Sequence, residues 1–157
     1  MRVHVRVPAT TANLGPGFDA LGLALGLHNE VTAAEADAVT VAIEGEGAGR
    51  LPAGADNVVA RGVRQAYEAA GRPFKGVALA CVNRVPAARG LGSSAAAWVG
   101  GLVAGNALLG RPLSRDCLLY TSDAAGAASR AMGGAGAGDD QLHRRGARRA
   151  ARIRAAR

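Results

Sequence analysis

Residues 86–96, Pro-Ala-Ala-Arg-Gly-Leu-Gly-Ser-Ser-Ala-Ala, place two glycines and two hydroxyls where a strand-like run gives way to an apolar helical run. Gly90 and Gly92 lack a Cβ, so they can adopt positive φ and let consecutive backbone N–H groups turn toward an anion. Ser93 or Ser94 then opens the predicted helix, whose first N–H groups lack internal partners and whose dipole favours negative charge. This glycine-serine segment therefore predicts a phosphate site.

The glycine-serine segment differs from a Walker loop, because no Lys precedes its serines and its glycine spacing is different. Arg89 is the nearest cation, and it either touches phosphate or is simply exposed. A purely structural interpretation also exists, in which the segment is a strand-to-helix turn with Ser93 as the N-cap.

A second polar segment lies upstream, at residues 7–25. It reads Val-Pro-Ala-Thr-Thr-Ala-Asn-Leu-Gly-Pro-Gly-Phe-Asp-Ala-Leu-Gly-Leu-Ala-Leu, a strand followed by a glycine-proline loop that carries Asn13 and Asp19. Taken alone, Asn13 would stabilise a turn and Asp19 would cap the segment after Phe18.

Together these two segments resemble the first and second motifs of the galactokinase, homoserine kinase, mevalonate kinase and phosphomevalonate kinase family. The resemblance runs from residue 1 to about residue 116, and it includes residues 56–59 and 109–114. Within the family, the amino-acid sequence of the first motif is most similar to that of homoserine kinases.

The resemblance implies an ATP site and a homoserine site. Gly90, Gly92, Ser93 and Ser94 would bind the β- and γ-phosphates, with Ser94 as the Mg²⁺ ligand. Asn57 would lie near the nucleoside, although an N-cap role is sufficient to explain it. Asn13 and Asp19 would bind L-homoserine, since a carboxylate suits the ammonium group and an amide both donates and accepts. The ATP-binding segment as a whole would comprise Pro86, Ala87, Ala88, Arg89, Gly90, Leu91, Gly92, Ser93, Ser94, Ala95 and Ala96.

The implied reaction is transfer of the γ-phosphoryl group of MgATP to the hydroxyl of homoserine. We assign no catalytic base, because phosphoryl transfer depends chiefly on positioning and charge neutralisation. Two alternatives stay open at this point. One is a kinase of the same family that acts on mevalonate or a sugar, and the other is a basic RNA-binding protein without enzymatic activity.

Composition predicts a cytoplasmic protein with one core. The chain has 157 residues, 49% of them hydrophobic, and neither a signal peptide nor a membrane-spanning run is recognised. Cys81 and Cys117 do not form a disulfide framework, and Cys81 is expected to be a small buried hydrophobe. Small molecules are the expected ligands, and a homodimer is considered for the longer parent protein.

Strands followed by segregated helices predict an α+β fold. Asp56 or Asn57 should cap the first helix, and Gly100, Gly101 and Gly105 should permit close packing of the second. The resemblance implies a first domain like domain 2 of ribosomal protein S5, with the family's ferredoxin-like C-terminal domain absent. The predicted strands are 3–7, 21–27, 30–36, 39–44 and 77–82, and the predicted helices are 57–71 and 93–109.

The character of the chain changes near Cys117. Residues 117–157, the basic tail, contain eight Arg and three Asp, so they carry +5 of the formal net charge of +7. We predict a kinase domain at 1–116 and a disordered tail of frameshifted or artefactual origin at 117–157. Nucleic-acid binding is not expected, since the basic part of the tail has no aromatic residue to stack on a base.

Overall fold

The computed structural model describes residues 1–12, 14, 15, 21–118, 120, 121 and, as strand backbone, 152–156. Two helices pack on one face of a five-stranded sheet whose order is β3-β4-β2-β1-β5. The β3–β4 pair is parallel and the other neighbours are antiparallel, which confirms the predicted α+β class. The elements are β1 (Arg2–Ala12), β2 (Gly22–Glu35), β3 (Thr40–Gly45), α1 (Val58–Ala69), β4 (Val77–Asn83), α2 (Ser93–Leu108) and β5 (Arg152–Ala156).

Alternation of side chains builds the core under the helices. Val3, Val5 and Val7 of β1 are fully buried, whereas the intervening Arg6 is exposed, as the period of two requires. The same alternation continues on β2 and β4, so valine, leucine and alanine cover the face that meets α1 and α2. The opposite face carries the charged residues.

β2 is longer than the sequence predicted. We expected two strands, 21–27 and 30–36, but a single strand runs from Gly22 to Glu35. The prediction was wrong because β1 pairs along this whole stretch: Pro8 lies opposite His28 and Val7 opposite Asn29. A register shift between Pro8 and Thr10 accommodates the irregular region without ending the strand.

The first helix begins as predicted. Asn57 is the N-cap of α1, and its Oδ1 accepts a hydrogen bond of 2.9 Å from the backbone N–H of Val59. Val63, Ala66 and Tyr67 are buried along one side of the helix. The helix therefore faces the core with an apolar stripe at helical spacing.

Glycines bring α1 and α2 into close contact, as expected from the sequence. A Cβ built on Gly101 would lie 2.1 Å from the carbonyl oxygen of Val59, and one on Gly105 would lie 2.8 Å from that of Val63. Only hydrogen fits at these positions, so the two helix backbones touch. The contact fixes the position of α2 relative to α1.

The basic tail is described only in part. Residues 115–118, 120 and 121 are helical, and the Ser114 Oγ accepts a hydrogen bond of 3.2 Å from the backbone N–H of Cys117, which caps this turn. β5 pairs with β1 at the edge of the sheet. The boundary predicted after Asp116 and the disorder predicted for residues 117–157 both stay predictions, and residues 122–151 lie outside the described residues. Among the described residues, no helix is long and apolar enough to cross a membrane.

Candidate nucleotide site

The glycine-serine segment turns with left-handed backbone, as its glycines predicted. Gly90 has φ 66° and Gly92 has φ 67°, conformations that glycine adopts without strain. Ala88 also takes a positive φ of 56°, which costs an L-residue about 1 kcal/mol. The surrounding structure therefore holds this turn in an unusual shape.

The start of α2 is open. Its N-cap is Gly92 rather than Ser93, and within the described part of the chain no side chain caps the first turn. The structural interpretation of Ser93 as N-cap was therefore wrong, because Ser93 already belongs to the helix. Ser93 is half-buried and Ser94 is exposed. The first N–H groups and the positive end of the helix dipole are thus available to an anion.

A cavity of about 450 Å³ lies beside this helix start. Ala87, Ala88, Ser93 and Ser94 line it from the glycine-serine segment. Apolar side chains line much of the remainder, and Arg50 and Glu46 are the charged residues among its described walls. The other lining residues are Asn29, Ile43, Gly47, Leu51, Pro52, Asn57, Val58, Val59, Cys81, Asn83 and Ala97.

Asn57 joins the cavity to the start of α1. Its Oδ1 caps the helix, and its Nδ2 donates a hydrogen bond of 2.8 Å to the carbonyl oxygen of Pro52. The amide is buried and both of its polar groups are engaged within the protein. Asn57 therefore shapes the wall of the cavity, and its predicted place beside a nucleoside stays a prediction.

Asn29 is a site residue that the sequence analysis missed. It is buried on β2, and its Oδ1 accepts hydrogen bonds from the backbone N–H groups of Arg84 (2.8 Å) and Val85 (2.9 Å). These residues immediately precede the glycine-serine segment. The sequence did indicate an unusual residue here. Asn29 is the polar member of an alternating series whose other members, Val31 and Ala33, face the core.

A backbone contact ties the first motif to the second. The N–H of Thr10 in β1 donates a hydrogen bond of 3.1 Å to the carbonyl oxygen of Leu91. The end of β1 therefore lies beside the glycine-serine segment. Asn13 and Asp19, which follow β1 in the chain, lie outside the described residues.

The remaining predicted residues surround the turn without lining the cavity. Arg89 and Gly90 are exposed, while Ala95 and Ala96 are buried beneath the first turn of α2. Pro86, Leu91 and Gly92 are half-buried within the turn. The structure thus brings Asn57, Ala87, Ala88, Ser93 and Ser94 together around one cavity.

Two titratable groups near the site have shifted pKa values. Burial raises the pKa of the Cys81 thiol from 9.0 to about 11, so this wall residue stays protonated at neutral pH. A 2.7 Å hydrogen bond from the Arg84 guanidinium lowers the pKa of Glu30 below its ordinary value of 4.5, and the nearby His4 and Arg6 act in the same direction. Glu30 therefore stays ionised at neutral pH. It holds the Arg84 guanidinium, while Asn29 accepts a hydrogen bond from the backbone N–H of the same residue.

Comparison with known proteins identifies the family. The profile described as GHMP kinases N terminal domain matches residues 57–143, more than half of the chain. The chain belongs to the GHMP kinase family. The match includes the cap of α1 and the whole glycine-serine segment, which confirms the predicted resemblance.

Within the GHMP kinases, the chain is similar to homoserine kinases. It is 52% identical over 109 residues to the homoserine kinase of Moorella thermoacetica, an alignment that covers 69% of this chain and 37% of that protein. The crystal structure of homoserine kinase from Cytophaga hutchinsonii matches with a TM-score of 0.72 at 33% identity, covering 90% of this chain and 44% of that one. A mevalonate kinase crystal structure, 14% identical, shares the fold with a TM-score of 0.64, covering 90% of this chain and 51% of that one. This GHMP kinase chain therefore spans about two fifths of the length of the homoserine kinases it matches.

Proposed function

We propose that this chain is the nucleotide-binding part of a homoserine kinase, which transfers the γ-phosphoryl group of MgATP to the hydroxyl of L-homoserine. The main support for this proposal is the open start of α2. Two left-handed glycines precede the helix, no side chain of the described residues caps its first N–H groups, and a cavity of about 450 Å³ lies beside it. Such a start attracts phosphate through its N–H donors and its dipole. Similarity to homoserine kinases supports the choice of acceptor.

The walls of the cavity suit the parts of ATP. Ile43, Leu51 and Val58 offer apolar surface of the kind that accepts a purine ring. Ser93 and Ser94 line the same cavity at the start of α2, which favours negative charge. We therefore propose that the base lies toward Asn57 and that the phosphates lie along residues 86–96.

Mg²⁺ fits the exposed hydroxyl of Ser94. This ion takes oxygen ligands and is usually held by few protein groups together with phosphate oxygens and water. When bound, it would neutralise charge on the β- and γ-phosphates. Ser94 would hold it from the protein side, while the helix start orients the phosphate chain.

We further propose that Asn13 and Asp19 bind homoserine. The Thr10–Leu91 hydrogen bond brings the end of β1 beside the glycine-serine segment, and Asn13 lies three residues beyond Thr10. An Asp carboxylate would pair with the substrate ammonium group, and the Asn amide would fix its carboxylate or hydroxyl. In-line placement of the hydroxyl then drives the transfer without an assigned base.

The chain's fold is proposed to be of the S5 domain 2 type. The complete homoserine kinase would also carry the ferredoxin-like domain that the family resemblance implies, and this second domain would supply the remaining active-site groups. Homoserine and ATP are both small cytoplasmic metabolites, so we place the enzyme in the cytoplasm.

Two measurements test this function. Isothermal titration of the 157-residue chain with MgATP should show binding at one site, and no binding would refute the nucleotide assignment. Residues 1–116, joined to the remaining sequence of a complete homoserine kinase, should phosphorylate homoserine in preference to mevalonate and galactose. Faster turnover of either alternative alcohol would refute the proposed acceptor.

A further inference from the structure

The amide of Asn29 has a fixed orientation. Its Oδ1 accepts from two backbone N–H groups, those of Arg84 and Val85, at 2.8 and 2.9 Å. Rotating the amide by 180° would set Nδ2, a donor, against two donors and would lose both hydrogen bonds. The position of Nδ2 is therefore determined by the chain itself.

The other half of this amide is not used by the protein. Nδ2 makes no hydrogen bond to any residue in the described part of the chain, although Asn29 is only 3% exposed. Asn29 nevertheless lines the cavity that also contains Ser93 and Ser94. Nδ2 is not one of the fully buried side-chain atoms that lack a partner in the described part of the chain, so it keeps access to the cavity, where a ligand oxygen can accept its hydrogen bond.

We propose that Asn29 is a nucleotide-binding residue with two separate roles, an inference that rests on the proposed function. Through Oδ1 it positions the start of the glycine-serine segment. Through Nδ2 it donates a hydrogen bond to an oxygen of the bound nucleoside triphosphate. The first role belongs to the folded chain alone, whereas the second appears only when nucleotide is present.

Two substitutions separate these roles. Asn29→Asp keeps an acceptor for the Arg84 and Val85 N–H groups but removes the donor. Asn29→Ala removes both groups without adding a charge, so a loss of affinity in both variants shows that the charge of Asp alone does not account for it. The matched control is Asn106→Asp, since Asn106 is equally an interior amide but is bonded through both groups to the Leu113 backbone, away from the cavity.

The readouts are the Kd of the whole chain for MgATP and the hydrogen-exchange rates of the Arg84 and Val85 amides. Both Asn29 variants should raise the Kd about tenfold or more, the amount expected for a lost hydrogen bond to a charged ligand. Amide exchange should accelerate in Asn29→Ala and stay near the wild-type rate in Asn29→Asp. Asn106→Asp should leave the Kd unchanged.

Three outcomes would overturn parts of this inference. Wild-type affinity in Asn29→Asp would remove the donor role, even if Asn29→Ala failed to fold. Unchanged amide exchange in Asn29→Ala would remove the positioning role. A wild-type chain that binds no MgATP would refute the proposed function together with the donor role, a result distinct from the loss of affinity in the variants alone.

Discussion

Ser94 is the residue on which the phosphate chemistry most depends. It is exposed in the first turn of α2 and lines the cavity, whereas the neighbouring Ser93 is half-buried. We predict that Ser94→Ala raises the Kd for MgATP about tenfold, because a ligand of the ion and a polar contact are lost together. Isothermal titration measures this change.

Ser114→Ala is the matched control for Ser94. Ser114 is also exposed and also stands at the start of a helical turn, but its Oγ accepts a hydrogen bond from Cys117 instead of facing the cavity. This control should cost about 1 kcal/mol in the free energy of unfolding and leave MgATP affinity unchanged. Equal Kd values for the two serine variants would contradict the role given to Ser94.

Cys81 offers a chemical probe of the same cavity. Because burial raises its pKa to about 11, its thiolate fraction at pH 8 should be roughly 100-fold below that of a thiol with a pKa of 9.0. In a Cys117→Ser variant, reaction with a disulfide reagent should therefore be slow at pH 8 and accelerate about tenfold per pH unit toward pH 10. MgATP should slow it further, since Cys81 lines the cavity. Rapid, nucleotide-independent modification would contradict this placement.

At the scale of elements, the contact between α1 and α2 sets the geometry of the site. The two helix starts carry Asn57 and Ser93, which line one cavity. We predict that Gly101→Ala destabilises the chain by about 2 kcal/mol or more, because the added Cβ would meet the Val59 carbonyl and would outweigh the better helix propensity of Ala. Urea unfolding measures this difference.

Gly54→Ala is the control for that substitution. A Cβ at Gly54 would meet nothing within 4 Å, so the free energy of unfolding should change by less than about 1 kcal/mol. If Gly101→Ala proved as stable as Gly54→Ala, the helices would not be held by backbone contact, and α2 would owe its position to the sheet alone.

The local features of the site could be predicted from sequence, and the distant ones could not. The left-handed conformations of Gly90 and Gly92 depend on neighbouring residues, and so does the N-cap at Asn57. The local sequence pattern was therefore sufficient to predict them. Asn29 acts on backbone groups 55 and 56 residues away, a contact that no local pattern contains. The break predicted inside β2 failed for the same reason, because pairing with β1 decided that segment.

At the scale of the molecule, an ionic cluster on the helix-free face of the sheet connects β1, β2 and the residue that follows β4. Glu30 of β2 meets Arg84, which follows β4, at 2.7 Å, and His4 and Arg6 of β1 at 3.5 and 3.9 Å. The cluster lies in sequence next to the Asn29 contacts, on the opposite face of β2. It therefore stabilises the sheet at the point where the glycine-serine segment leaves it.

Glu30 makes this stability depend on pH. Its pKa in the folded chain is below the ordinary 4.5, so its contribution is fully present above about pH 4.5 and is lost as the pH falls through the lowered value. We predict that Glu30→Gln reduces the free energy of unfolding at pH 7 by less than about 1 kcal/mol, as expected for a partly exposed ion pair. The difference from wild type should shrink as the pH falls through the lowered pKa of Glu30, because both side chains are neutral below it. Urea unfolding over a series of falling pH values measures it, with Glu44→Gln on the exposed surface of β3 as control, and a difference that did not change with pH would assign the loss to packing instead of charge.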